Sequence, residues 1–415
     1  MHGLFVVVST IVLLLFPEEL NGPEKPGQGS AMNSSYHAPK TLKERPRHVF
    51  DQPARYDGPD SLTRPFDAVD CIKIGVFLPD PIQSPMAAEL IRGMELAIHT
   101  SPQVRGVPIC MILLGAEGTW SDVSRAAIEL AYGEEVWAII GGIDSESAHL
   151  VEQVTLKARI PLLIPVSADA SLNQVRVPWI FRMSPSFDEQ ARFLVSNLGT
   201  EPWVMVSGTN LDGRMFRKAL HRAIQKASQM GPKPFLQAAF EFQVNESAGQ
   251  TESTFMEPYR LIVLSGRDLI SASLGRKKRL LLGWDPLMSP MNWVTEPGTH
   301  SAGTCGFFAM QRRPESFFHD FSEQYCKAFQ KNPSEAAALG FDAMCMLIQV
   351  IDRRGLSRKA IREGIAAMDW TMRLNYSYSW DPGGGNASMS EFVWTRIDQN
   401  EMPSKHVLKK KVNPL

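Results

Sequence analysis

The feature that most constrains this chain is an ordered alternation of short β-rich runs with helical periodicities, which begins abruptly at Cys71. Ile72-Lys73-Ile74-Gly75-Val76-Phe77-Leu78 reads as a strand, and Pro85 to Thr100 then places Met86, Leu90, Met94 and Ala97 at helical spacing. A strand over Val107 to Leu114 follows, then a helix capped at Ser121-Asp122 and running to Leu130, and a third strand over Val136 to Gly141. Ser145 to Ala158 is helical, Ile160 to Ile164 is a fourth strand and Trp179 to Arg182 a fifth. Strands that alternate with helices in this way demand a parallel sheet with right-handed crossovers, so the fold class is α/β.

The pattern then repeats. Trp203 to Val206 is a strand, Gly213 to Met230 a basic amphipathic helix, and Phe235 to Phe242, Arg260 to Leu264 and Arg279 to Gly283 are further strands. Two successive α/β units imply two lobes facing a cleft, with a ligand beyond the carboxyl ends of the strands. The remainder is different in kind: helices are expected over Pro314 to Lys331, Ala336 to Arg353 and Ser357 to Met368. Two strand-like runs, Tyr376-Ser377-Tyr378-Ser379-Trp380 and Phe392-Val393-Trp394-Thr395-Arg396, then flank the turn-forming Asp381-Pro382-Gly383-Gly384-Gly385.

What precedes Cys71 cannot join this core. Residues 17 to about 69 are rich in Pro, Gly and Ser with little apolar periodicity, so they bury too little surface to offset their ordering entropy and read as a tether. The apolar run Leu4 to Phe16 has the size of a secretory h-region and falls short of the ~20 residues a bilayer span needs. It lacks a basic flank and a small-x-small cleavage site, so a buried strand fits it as well. Export to the periplasm or another extracytoplasmic space is the expectation, with membrane contact only through this segment if it is retained. Elsewhere 43 basic and 44 acidic side chains give a net charge of −1, which provides no field for nucleic acid or an anionic membrane.

No signature of catalysis or metal binding is present. The chain has no GxSxG elbow, no HExxH and no P-loop, and Gly383-Gly384-Gly385 lacks the Lys and helix of a phosphate cradle. Its five cysteines form no CxxC pair, so no zinc site and no cofactor is expected. Cys71 and Cys110 open two strands expected to lie side by side, which makes them the pair to examine for a disulfide, with buried free thiols as the other reading.

Two strand-end loops stand out. Gly141-Gly142-Ile143-Asp144-Ser145-Glu146-Ser147 follows a buried strand and opens a helix, so its hydroxyls and free N–H groups can converge on an anion. Pro165-Val166-Ser167-Ala168-Asp169 does the same after the next strand. Either loop alone is also explained by helix capping; at adjacent strand ends they make a carboxylate receptor.

IKIGVFLPD, RGMELAI, WAIIGGIDSESAHLVEQV, IPLLIPVSADASL, WIFRMSPSFDEQARFLVSNL and, far downstream, ALGFDAMCMLIQVI occur in an order that resembles the type I periplasmic binding proteins, within the leucine/isoleucine/valine-binding-protein-like group. The resemblance covers residues 71 to about 400 and rests on the ordered series, not on any one motif. It implies two Rossmann-like lobes with parallel sheets, joined by three crossings that hinge closed over a ligand. The implied boundaries are an export segment at 1–22, a linker at 23–69, a first lobe from 70–183 with 307–366, and a second from 184–306 with 367–405.

It also implies site residues. Ser145 falls where the group binds the ligand carboxylate through a hydroxyl, with Ser147 close by, and Val166, Ser167 and Ala168 fall on the loop that receives the carboxylate and ammonium. Two positions depart: the usual hydroxyl residue is Ala168, and the usual aromatic before Gly213 is Asp212. A carboxylate in place of an aromatic wall points to a ligand with an extra donor or positive charge, or to a site that no longer binds an amino acid. Asp268, after a second-lobe strand, is the candidate partner of an ammonium or else a solvated cap, Asp285 is expected to line the cleft edge, and Trp120 either stacks on a ligand from the first lobe or is an exposed packing Trp. The implied function is non-enzymatic: capture of an amino acid or similar zwitterion for an ABC permease. A tethered sensor of the same fold is the other reading.

Overall fold

β1 (Ile72–Leu78) is buried at nearly every position, as a strand covered on both faces must be. The structure is a computed structural model that describes residues 56–115, 119–197, 203–229, 236–242, 261–264, 279–282, 304–310, 315–367, 375–381, 383–385 and 392–398. All of these belong to one unit, Gln52–Leu415. The expected export segment and tether as far as residue 55 lie outside the described residues.

After β1 come α1 (Pro85–Thr100), the short β2 (Gln103–Val104), β3 (Val107–Gly115), α2 (Trp120–Ile128), β4 (Ala138–Gly141), α3 (Ser145–Ala158), β5 (Leu162–Ile164), α4 (Ser171–Gln174) and β6 (Ile180–Arg182). They build a six-stranded sheet in the order β2-β3-β1-β4-β5-β6, parallel except for the β2 edge. Ile72, Ile74, Val76 and Leu78 share one core with α1, while Phe77, Ile139, Leu162 and Ile180 share the other with α2 and α3. Thr119 caps α2, not Ser121-Asp122, through a reciprocal bond with Asp122, and the helix ends in a single π turn over Glu129–Gly133.

The second lobe begins with α5 (Phe187–Asn197), β7 (Trp203–Gly208), α6 (Leu211–Ser228), β8 (Leu236–Phe242), β9 (Leu261–Leu264), β10 (Arg279–Leu282) and β11 (Thr304–Met310). Its sheet runs β12-β11-β10-β9-β7-β8, where β12 (Phe392–Asp398) is the antiparallel edge. α7 (Glu315–Phe329), α8 (Glu335–Arg354) and α9 (Arg358–Ala367) lie between β11 and β12 in sequence, but α7 and α8 pack with α1 of the first lobe and α9 packs on α8. The chain therefore passes between the sheets three times. The second passage follows Met310, because β11 belongs whole to the second sheet, and the expected boundary at residue 307 cuts through that strand.

Two expectations are corrected. Residues 376–380 form no hairpin with 392–396: Asn375, Tyr376 and Tyr378 turn toward the buried Asp342 on α8, and β12 pairs with β11 instead. The tether does not extend to residue 69, because Asp60 accepts hydrogen bonds from Thr63 Oγ1 (2.6 Å), the Lys359 amide (3.2 Å) and Ser357, and Tyr56 packs on Trp179 with ring centroids 4.9 Å apart. Polar caps, not apolar periodicity, fix this strap to the start of α9. Cys71 and Cys110 are neighbouring free thiols, and burial together with Cys110 pushes the Cys71 thiol up to about 11.

The first lobe closes where α1 and α8 meet backbone to backbone. A Cβ on Gly93 would lie 2.0 Å from the Ala337 carbonyl oxygen, and one on Gly340 would lie 2.2 Å from that of Leu90. Beside this contact Glu89 accepts from Tyr325 (3.0 Å), Ser334 (3.0 Å), Arg92 (2.9 Å) and Lys331. Burial raises its carboxyl, but Lys331, Tyr325 and Ser334 outweigh burial and hold it below its ordinary value.

Two consequences are measurable by urea unfolding. Gly93→Ala forces the helices apart and is expected to cost about 1–3 kcal/mol of unfolding free energy, the usual penalty for overpacking. Asp342 accepts from the Asn375 amide (2.9 Å), Asn375 Nδ2 (3.0 Å), the Tyr376 amide (3.1 Å) and the Tyr378 hydroxyl (3.0 Å). Asp342→Asn turns donors toward donors there and is expected to cost about 1–3 kcal/mol; wild-type midpoints for either variant would contradict these roles.

Candidate functional site

The carboxyl ends of β4 and β5 deliver the two loops singled out in the sequence to one place. Gly142 has φ +81, a conformation L residues rarely adopt, and it turns the chain into α3, whose N-cap Asp144 accepts from the Ser147 amide at 2.8 Å. The Ser167 amide donates to the Gly142 carbonyl (3.3 Å), which joins the loops, and the Ser145 and Ser167 hydroxyl oxygens are 3.5 Å apart.

His149 fixes the second loop to α3. Its Nδ1 pairs with Glu152 (3.0 Å), while its Nε2 faces Asp169 (3.1 Å) and Ser171 (3.0 Å). Asp169 and then Glu152 stabilise the imidazolium against the penalty of burial and raise the pKa to about 9.

From the opposite lobe, Asn210 caps α6 by accepting from the Gly213 amide at 2.9 Å, and Asp212 in the first turn reaches across. Its Oδ1 accepts from the Ser145 amide at 3.1 Å and from the Ser145 hydroxyl. The N-terminal ends of α3 and α6 thus meet over one carboxylate. Burial pushes the Asp212 carboxyl up to about 6; Asp144 and Asp169 push the same way, against the Ser145 hydrogen bonds.

Alongside lies a cavity of about 320 Å³, lined among others by Trp120, Asp144, Glu146, Ser147, Asn210 and Asp212. Trp120 is 65% exposed and stands at the cavity as a flat apolar wall. No basic residue is among the described residues lining it.

Of the residues expected from sequence, Trp120, Ser147 and Asp212 line the cavity, and Ser145 adjoins it through Asp212. Val166, Ser167 and Ala168 do not line it and are each less than a tenth exposed. Their polar backbone is engaged: the Ser167 carbonyl accepts from Ser184 Oγ (2.7 Å) and the Ala168 carbonyl from the Phe187 amide (2.8 Å). Asp268 and Asp285 lie outside the described residues. Sequence reasoning did not single out Asp144, Glu146, Asn210 and His149; a polar residue three before Ser147 is the capping signal that marks Asp144. Among the described residues no group of His, Cys, Asp and Glu is placed to hold a metal ion.

No family model matches the sequence, and no curated protein is similar to it in sequence. Solved structures do match. The leucine-binding protein LivK of Thermotoga maritima matches with a TM-score of 0.65 at 19% identity, over 80% of this chain and 96% of its own. The branched-chain amino acid transporter substrate-binding protein LivJ of Streptococcus pneumoniae, in complex with isoleucine, matches at 0.67 and 15% identity, over 82% and 100%. An ABC transporter solute-binding protein from R. palustris, in complex with benzoate, matches at 0.65 and 14%, over 79% and 93%. Two mostly parallel sheets, three passages between them and these likenesses together establish that the chain has the type I periplasmic-binding-protein fold.

Proposed function

We propose that this protein is an exported, non-enzymatic solute receptor that captures a small amino-acid-like molecule between its lobes and delivers it to an ABC permease. The observation that carries this reading is the meeting of two helix N-termini from different lobes beside a cavity of about 320 Å³, in a fold whose solved examples hold isoleucine or benzoate. The amide and hydroxyl of Ser145 suit a carboxylate, and Asp144 and Glu146 suit an ammonium group. Trp120 offers a face for an apolar or cationic side chain. Ser147, with Val166, Ser167 and Ala168, completes the first-lobe half; Asp212, Asp268 and Asp285 would come from the second.

A second reading, a tethered sensor, is favoured by the strap: the segment that begins at Tyr56 is bonded to α9 and Trp179, so a partner holding the preceding chain is joined mechanically to the first lobe. Among the described residues no helix is long and apolar enough to cross a membrane.

Thermal-shift and calorimetric screening against amino acids, amides, polyamines and aromatic carboxylates is the direct test. A true ligand at a hundred times its Kd stabilises by about 2.7 kcal/mol, a rise of several degrees in Tm. Ser145→Ala is expected to weaken binding about tenfold, by loss of a hydrogen bond to a charged group. A screen with no stabilising compound, together with a silent Ser145→Ala, would end the receptor reading.

His149 gives the fold a pH signature. Its folded pKa of about 9 lies above the ordinary 6.5, so its contribution to stability is complete below 6.5 and is lost as pH rises through 9. Wild-type Tm is expected to fall across that window more steeply than that of His149→Gln; parallel profiles would show that the imidazolium does not hold the loop.

A further inference from the structure

Asp212 occupies the place in which the first lobe can receive an anion. The Ser145 amide begins α3 and so has no partner within the helix; it donates to Asp212 Oδ1 at 3.1 Å, and the Ser145 hydroxyl donates to the same oxygen. A helix-terminal N–H and a hydroxyl converging on one oxygen is the pattern in which a bound solute carboxylate would be held. Here the carboxylate belongs to the chain itself and comes from the other lobe.

We propose that Asp212 is a built-in competitor for this seat: its carboxylate stands in for that of a solute and latches the two lobes together until a solute carboxylate displaces it. The proposal rests on the receptor reading above and adds the specificity-determining residue.

The latch is also pH-sensitive. Facing Asp212 are Ser145 and Asp144 at the start of α3 and Asp169 after β5, with Glu146 on the shared cavity wall and Asn210 on its own helix. Two described cations act on Asp169 in this group: His149, raised to about 9 by Asp169 and Glu152, which it also bonds, and the buried Arg182. Burial first, with Asp144 and Asp169, raises the docked Asp212 carboxyl to about 6 against its Ser145 hydrogen bonds, so the docked group binds a proton more tightly than one released to water. Acid therefore favours the latch: the docked-to-released ratio is expected to rise as pH falls from 7.5 to 5.

The deciding measurement is hydrogen exchange at the Ser145 amide in the full chain, followed by NMR in wild type, Asp212→Ala and Asp212→Asn. Asp212→Ala should expose this amide to exchange and enlarge the radius of gyration in X-ray scattering. Asp212→Asn, whose oxygen can accept the same bonds, should keep partial protection and lose the pH dependence. Leucine and benzoate serve as carboxylate probes, and either one that binds should bind Asp212→Ala several-fold more tightly than wild type. Unchanged Ser145 protection in Asp212→Ala, or weaker probe binding by that variant, overturns the proposal. Failure of both probes with every variant counts against the receptor reading alone, since exchange still decides the latch.

Discussion

The contact on which the rest of the structure depends is the close approach of α1 and α8 at Gly93 and Gly340. No side chain fits between these helices: each glycine faces a carbonyl of the other helix at a separation that admits no Cβ. α8 joins α1 over the face of the first sheet that carries Ile72, Ile74, Val76 and Leu78 and completes its burial. It arrives only after the chain has built most of the second sheet. The first lobe is thus completed by a segment that must cross over and return, and the Glu89 cluster of Arg92, Tyr325, Lys331 and Ser334 fixes the junction where it does so.

The first and third passages between the lobes share a chemistry: buried polar groups that hydrogen-bond to distant parts of the chain. Asp342 gathers Asn375, Tyr376 and Tyr378 at the start of the third passage. Arg182, at the end of β6, donates to Asn173 (2.8 Å), while its own amide donates to the Gly384 carbonyl (2.9 Å), so the first and third passages are bonded to each other. Gly384 has φ +87, and a Cβ there would lie 2.1 Å from the Ile180 carbonyl, which is why the glycine run belongs at this point. Satisfied groups of this kind specify one arrangement of the crossing chains, because any slippage leaves buried donors or acceptors without partners.

How much of this was legible in the sequence follows from what holds each part. β1, α1, β4 and α3 were legible because apolar runs and helical spacing are local, and α3 was expected at its observed limits, Ser145–Ala158. Residues 376–380 misled because Tyr376 and Tyr378 are buried between exposed serines, a period of two that mimics a strand. Here the alternation serves Asp342, which is distant in sequence. The strap at Tyr56–Val69 was read as tether because Asp60 and Tyr56 hold it through caps and a ring contact that leave no periodic trace. At the site, the GIDSES loop was legible as a capped strand end. Asp212 was visible only as a departure from an expected aromatic, since its bond to Ser145 spans 67 residues and two lobes.

The electrostatics of the cleft then separate solutes by what accompanies their carboxylate. The chain's near-zero net charge is uninformative, because at this cavity Asp144, Glu146 and Asp212 place three acidic side chains together. Asp212 docks at the cost of burial beside Asp144 and Asp169, which is the reason its carboxyl is pushed up to about 6. A plain anion arriving at Ser145 would meet the same neighbours and bring nothing to balance them. A zwitterion replaces one carboxylate with another while setting its ammonium beside Asp144 and Glu146, so it gains the attraction that the docked Asp212 lacks. On the receptor reading proposed above, the same acidic wall that makes the latch costly makes an amino-acid-like solute the better replacement for it.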